Sequence, residues 1–138
     1  MTDKKYLLYV EDEEFQAKLF AHILEGEMAE FGYGVVTLSS GMDFLNFLAG
    51  EKELSVNREQ IGLVLLDLSM HDISGMQILR NLKRYDFDIP VAVFSARDDK
   101  DTADEVKKLG AVEYFVKGKD LEELQRIKKF IIKKLQEK

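Results

Sequence analysis

The sequence has no cysteine, no tryptophan, a single proline and only two histidines. Without cysteine there is no disulfide framework and no thiolate chemistry. His22 and His71 lie far apart in the chain with no thiol beside either, so no transition-metal ligand set is legible and both are expected to be chemically idle. No apolar run approaches the roughly 20 residues that span a bilayer. The short run near the amino terminus is followed at once by acid, unlike a signal peptide. Positive charge is also in short supply. Lys and Arg number 20 against 26 Asp and Glu, a formal charge of −6, which argues against nucleic acid as a direct partner. Lys128, Lys129, Lys133 and Lys134 form the one basic cluster, diluted by Glu122, Glu123 and Glu137. The expectation is a cytoplasmic protein that contacts neither membrane nor nucleic acid.

What is present is an ordinary globular composition, 46% hydrophobic and 33% charged, in 138 residues. That length suits one domain over residues 1–138 with a real core. Short apolar runs at residues 6–10, 35–38, 61–66, 91–94 and 112–116 alternate with amphipathic stretches. Several runs are continuously aliphatic, as in strands covered on both faces. Between them, Phe15, Leu19, Ile23 and Phe20, Leu24, Met28 mark a first helix. Phe44, Leu45 and Leu48 mark a second behind the possible caps Ser39 and Ser40. Met76, Leu79 and Leu82 mark a third, and Ala103, Val106 and Leu109 a sparsely anchored fourth. Leu121, Leu124, Ile127, Ile131, Ile132 and Leu135 form the apolar face of a fifth, with Phe130 expected to fall outside it. Residues 49–60 read as a polar surface loop or an extra helical turn. The alternation predicts a doubly wound α/β fold of five parallel strands and five helices, which binds ligands beyond the carboxyl ends of its strands.

Those strand ends carry chemistry. The first run ends in Glu11 and Asp12, the third in Asp67, the fourth in Ser95 and the fifth in Lys117. On parallel neighbours all five side chains gather at one rim. Carboxylates about 5 Å apart repel by roughly 3 kcal/mol per pair at an effective dielectric of 20. A hard divalent cation with oxygen ligands, typically Mg²⁺, is the simplest relief. Asp67 could then act as a carboxylate nucleophile toward phosphorus, with Lys117 and the Ser95 hydroxyl holding the oxygens of the transferred group. Each residue alone has a plainer reading. Glu11 and Asp12 could cap a helix, Ser95 could be a satisfied hydroxyl, Lys117 a surface residue and Tyr114 an ordinary strand aromatic. An acid ending a run as apolar as residues 63–66 has no such excuse unless it is paired.

With YVEDEE, LVLLDLSMHDISG, VAVFSA and EYFVKG in this order, the whole chain resembles the receiver domain of response regulators, including the single-domain chemotaxis type. The resemblance implies a flavodoxin-like receiver fold. It makes Asp67 the phosphoacceptor, Lys117 the active-site lysine, Ser95 the switch hydroxyl and Tyr114 the switch aromatic. Mg²⁺ would be held by Asp12, Asp67 and the main-chain carbonyl of Ser69, with Glu11 acting mostly through water. Ser69 and Arg97 would tune the lifetime of the acyl phosphate. The chain departs from the family pattern at Glu11 (usually Asp), His71 (usually Pro) and Gly118 (usually Pro). The last leaves the cis peptide common there in doubt, and Gly118 is free to take unusual backbone angles instead.

The implied function is phosphoacceptance in a two-component system. A sensor histidine kinase or histidine phosphotransfer protein supplies the phosphoryl group, and the domain catalyses only its own phosphorylation and slow dephosphorylation. Phe130, with the fourth helix and fifth strand, is expected to border the surface read by a downstream protein. The chain ends with the fifth helix, so it reads as a stand-alone regulator or as a module whose output domain is missing. Two alternatives are an Asp-nucleophile phosphatase and a phosphorylation-independent scaffold. The first usually has Asp two positions after its nucleophile, where Ser69 stands here; the second has no reason to keep a charged pocket. A flavodoxin-like cofactor carrier would need a phosphate loop after the first strand, which is lacking.

Overall fold

Aliphatic runs become strands and the amphipathic stretches between them become helices, in strict alternation. The computed structural model describes residues 4–137. The strands are β1 (Lys5–Val10), β2 (Tyr33–Leu38), β3 (Ile61–Leu66), β4 (Val91–Ser95) and β5 (Glu113–Val116). The helices are α1 (Glu14–Glu30), α2 (Gly41–Leu48), α3 (Gly75–Asn81), α4 (Lys100–Lys108) and α5 (Leu121–Gln136). All strand pairs are parallel, in the order β2-β1-β3-β4-β5. The polar stretch before β3 is a surface connection ending in a 3₁₀ turn at Arg58–Gln60. Among the described residues no helix is long and apolar enough to cross a membrane.

The period of two along each strand sorts the core into two layers. Leu8, Val10, Val64, Leu66 and Val93 face Phe44, Phe47, Ile78, Leu79 and Val106 of α2, α3 and α4. Leu7, Tyr9, Leu63, Leu65, Ala92, Phe94 and Phe115 face Phe20, Leu24, Met28, Ile127, Ile131 and Leu135 of α1 and α5. The edge strand β2 is only half covered, unlike β3. Side-chain caps begin four helices: Ser40 accepts from Asp43 N, Ser74 from Gln77 N, Asp99 from Thr102 N and Asp120 from Glu123 N.

Two helical faces differ from the periodic reading. On α1 the stripe of Phe20, Leu24 and Met28 is buried, whereas Phe15 is 71% and Leu19 49% exposed. The two stripes lie about 140° apart around the helix, and only one can face the sheet. On α5 the packed face turns toward Phe130, which meets Phe115 edge-on at 5.3 Å between centroids. Phe130 is therefore half-buried rather than outside the apolar face, and Leu121 at the first turn is the residue left in solvent. Flanking the buried Ile127 and Ile131 places Phe130 over Phe115 of β5, while Leu121 stays exposed.

Candidate functional site

Backbone bonds that prolong the parallel ladders bring the strand ends together. Glu11 N donates to Leu38 O at 3.0 Å, Asp67 N to Val10 O at 3.1 Å and Lys117 N to Ser95 O at 2.8 Å. Glu11, Asp12, Asp67, Ser95 and Lys117 thus share one rim, at the β1/β3 boundary where the winding reverses. This is where an open α/β sheet places its ligands.

The rim is acidic and largely dry. Glu11 is 2% and Asp67 4% exposed, and Asp12 is half-buried. One carboxylate oxygen from each of the three lies within 4.8 Å of the others. Lys117 Nζ sits 2.9 Å from Glu11 Oε2 and 3.4 Å from Asp67 Oδ2. A single ammonium does not neutralise three carboxylates. Burial and the adjoining Asp67 carboxylate push the Glu11 carboxyl up to about 8, against the pull of Lys117. Repulsion that forces a proton onto Glu11, with hard oxygen donors converging within a few ångströms, fits a hard divalent cation such as Mg²⁺ that would take that proton's place.

The loop after β3 frames the pocket. Ser69 N donates to Asp67 Oδ1 at 3.2 Å and His71 N donates to Asp12 Oδ2 at 2.7 Å, fixing both carboxylates. Gly75 N closes the loop onto Leu68 O at 3.0 Å. A Cβ on Gly75 would lie 2.5 Å from the Asp67 carbonyl oxygen, so only glycine permits that approach. Asp72 reaches across the fold to accept from Gly41 N at 3.1 Å and Met42 N at 2.8 Å at the start of α2. Against some burial, which acts to raise it, these two backbone bonds and a third from Ile73 N hold its carboxyl below the usual range. Sequence reasoning passed over Asp72 and Gly75. The one available signal was that Ser74 already serves as the local cap of α3, leaving Asp72 free for another task.

On the other flank, Ser95 is fully buried and its Oγ accepts from Arg97 N at 3.2 Å. Tyr114 is turned inward, its hydroxyl donating to Arg97 O at 2.5 Å, and burial raises the phenol above its ordinary value. The Arg97 side chain is drawn to Asp99, 3.3 Å away, and stands mostly in solvent. No cis peptide occurs among the described residues, and Gly118 takes a left-handed φ of +66° after Lys117.

Comparison with known proteins agrees with this geometry. The family model described as "Response regulator receiver domain" matches residues 7–129. The chain is 35% identical over 125 residues to the uncharacterized transcriptional regulatory protein YkoG of Bacillus subtilis, covering 88% of this chain and 48% of that protein. It is 33% identical over 124 residues to the response regulator protein TodT of Pseudomonas putida, covering 90% of this chain and 50% of TodT. It thus spans about half the length of these two relatives. Among solved structures, the phosphorylated cyanobacterial phytochrome response regulator RcpA superposes with a TM-score of 0.71 at 29% identity, covering 94% of this chain and 91% of RcpA. A receiver domain from Clostridium thermocellum gives 0.71 at 27% identity, covering 94% of each chain. A sheet order, a rim of acids with one lysine, and a family match over most of its length converge on one assignment: the chain belongs to the response regulator receiver domains of two-component systems.

Proposed function

We propose that Asp67 is the phosphoacceptor, taking a phosphoryl group from a phosphohistidine on a sensor kinase or histidine phosphotransfer protein. The observation that carries this reading is a buried Asp67 carboxylate with Lys117 Nζ at 3.4 Å and the oxygens of Glu11 and Asp12 beside it. The carboxylate oxygen attacks phosphorus as the P–N bond to the donor imidazole breaks. Lys117 supports the charge on the transferred oxygens. Asp12, Asp67 and the Ser69 carbonyl would hold Mg²⁺, with Glu11 assisting through water; when bound, the ion would neutralise charge at the transferring group.

Ser95 then turns its hydroxyl to the phosphoryl group, and the inward Tyr114 fixes the following loop through Arg97 O. Moving such a switch from 1:99 to 99:1 needs about 5.5 kcal/mol of differential interaction, within reach of two or three charge-assisted hydrogen bonds. Ser69 and Arg97 border the acyl phosphate and set its lifetime. The face of α4, β5 and α5, with Phe130 at its margin, is read by an output protein or an attached output domain. The domain turns over no separate substrate. Incubation with acetyl phosphate and Mg²⁺ followed by intact mass measurement tests the assignment. A phosphoryl adduct in the wild type that is lost in Asp67→Asn is expected; an adduct that persists in Asp67→Asn would overturn it.

A further inference from the structure

Lys117 reaches the acidic rim by crossing a neighbouring strand. It follows β5, whereas Asp67 follows β3, and β4 lies between the two. At the end of β4 the ammonium stands over the ring of Phe94, 5.6 Å from its centroid. That is within the roughly 6 Å over which a ring face attracts a cation. The ring is held in place from below. Phe94 packs against Phe20 at 4.8 Å and Tyr9 at 6.3 Å between centroids, and Tyr9 meets Phe20 edge-on at 5.3 Å. All three aromatics are buried. Only 17% of the Lys117 side chain is exposed, so water does little to fix the ammonium.

The other partners of the ammonium are acids, Glu11 Oε2 at 2.9 Å and Asp67 Oδ2 at 3.4 Å. Glu11 follows β1, which lies beyond β3 in the strand order, so the shorter contact draws the ammonium past Asp67. The Phe94 ring attracts it from the β4 side. We propose that Phe94 is a positioning residue for phosphoryl transfer, its ring face a seat that keeps the Lys117 ammonium at Asp67 against the pull of Glu11. An aliphatic side chain would fill the same core space but lack the negative ring face. The proposal rests on the reading of Asp67 as phosphoacceptor with Lys117 beside it, and adds the group that holds the lysine there.

The experiment replaces Phe94 by mono-, di- and trifluorophenylalanine, which nearly keep the ring's shape while draining charge from its face. The same series at Phe20, which packs on Phe94 but carries no cation, is the control. Phosphorylation by acetyl phosphate with Mg²⁺ is timed by intact mass, and unfolding midpoints are recorded. Expected is a rate that falls stepwise with each fluorine at Phe94, by about three- to tenfold at the trifluoro ring. Midpoints should stay together, the Phe20 series should be flat, and Phe94→Leu should be at least as slow as the trifluoro ring. In a Lys117→Gln background the fluorine dependence should vanish, since the pair term needs both partners. A flat Phe94 series, a dependence that survives Lys117→Gln, or a rate that merely tracks the midpoint would overturn the proposal while leaving Asp67 as acceptor. A wild type that gains no adduct, or the same adduct as Asp67→Asn, sinks the acceptor reading itself and this proposal with it.

Discussion

Lys117 lies closer to Glu11, at 2.9 Å, than to Asp67, at 3.4 Å. Even so, burial and the Asp67 carboxylate outweigh the lysine and raise the Glu11 carboxyl to about 8. A cation entering the cluster must therefore displace a proton from Glu11 below that pH. Apparent Mg²⁺ affinity should climb by up to about tenfold per pH unit as pH approaches 8 and level off above it. In Glu11→Gln, which has no proton to release at this position, the slope should largely disappear. Calorimetric titration between pH 6 and pH 9 in buffers of differing ionisation heat would measure both the slope and the released proton.

The same shift governs stability in the presence of a chelator. The folded state keeps the Glu11 proton up to about 8, whereas an unfolded glutamate releases it near 4.3. Between those values the folded state binds more protons, so this group makes stability fall as pH rises, with no further loss above about 8. Denaturant unfolding in EDTA across that window should show the decline in wild type and a flatter profile in Glu11→Gln. A decline of equal size in both would assign it to other groups.

Much of the fold was legible because buried parallel strands are short and apolar. The run at Ile61–Leu66 has the same limits in the sequence as in the structure. The acidic rim was legible for a related reason: a polar residue closing an apolar run has to be explained by the strand's end. Long-range relationships that leave no local pattern were not legible. Asp72 serves a helix 30 residues upstream, and the orientation of α5 was decided by Phe130 finding Phe115, which periodicity cannot register. On α1, two equally good stripes competed for one sheet face, and only packing chose between them.

Gly75 fixes how closely α3 approaches the loop after β3. In Gly75→Ala the added methyl would meet the Asp67 carbonyl oxygen at 2.5 Å and the Leu68 Cα at 2.8 Å, both main-chain atoms that cannot swing aside. The helix-propensity gain of up to about 1 kcal/mol is smaller than the overpacking penalty of about 1–3 kcal/mol. The variant should be less stable by chemical denaturation and should also accept phosphate from acetyl phosphate more slowly, because its acceptor loop is displaced. Gly26→Ala, whose methyl would meet nothing within 4 Å, should be neutral or stabilising.

Asp72 couples the loop after β3 to α2. Asp72→Ala removes the acceptor for Gly41 N and Met42 N, and loss of a capping carboxylate costs about 0.5–2 kcal/mol. Because its folded carboxyl lies below the unfolded value, its contribution is present above that unfolded value and is lost as pH falls through the folded one. The wild-type advantage over Asp72→Ala should thus be full at pH 7 and shrink below about pH 4. Amide exchange at Gly41 and Met42 should quicken in the variant even at neutral pH.

The exposed stripe of α1 predicts where a phosphodonor lands. Phe15 and Leu19 rise from the helix that starts two residues after Asp12, so an apolar surface borders the acidic rim. Neither side chain supports the sheet, which Phe20, Leu24 and Met28 cover instead. Replacing Phe15 and Leu19 with serine should therefore leave the unfolding midpoint nearly unchanged. Acetyl phosphate is small and reaches Asp67 without docking, so phosphorylation by it should keep its wild-type rate. Transfer from a protein donor that docks by burying apolar surface beside the rim should slow by about tenfold or more. That corresponds to roughly 1.4 kcal/mol, less than two well-buried apolar side chains can contribute to an interface. Equal slowing with both donors would place the defect in the pocket, and no slowing with either would move the donor's footprint to another face of the domain.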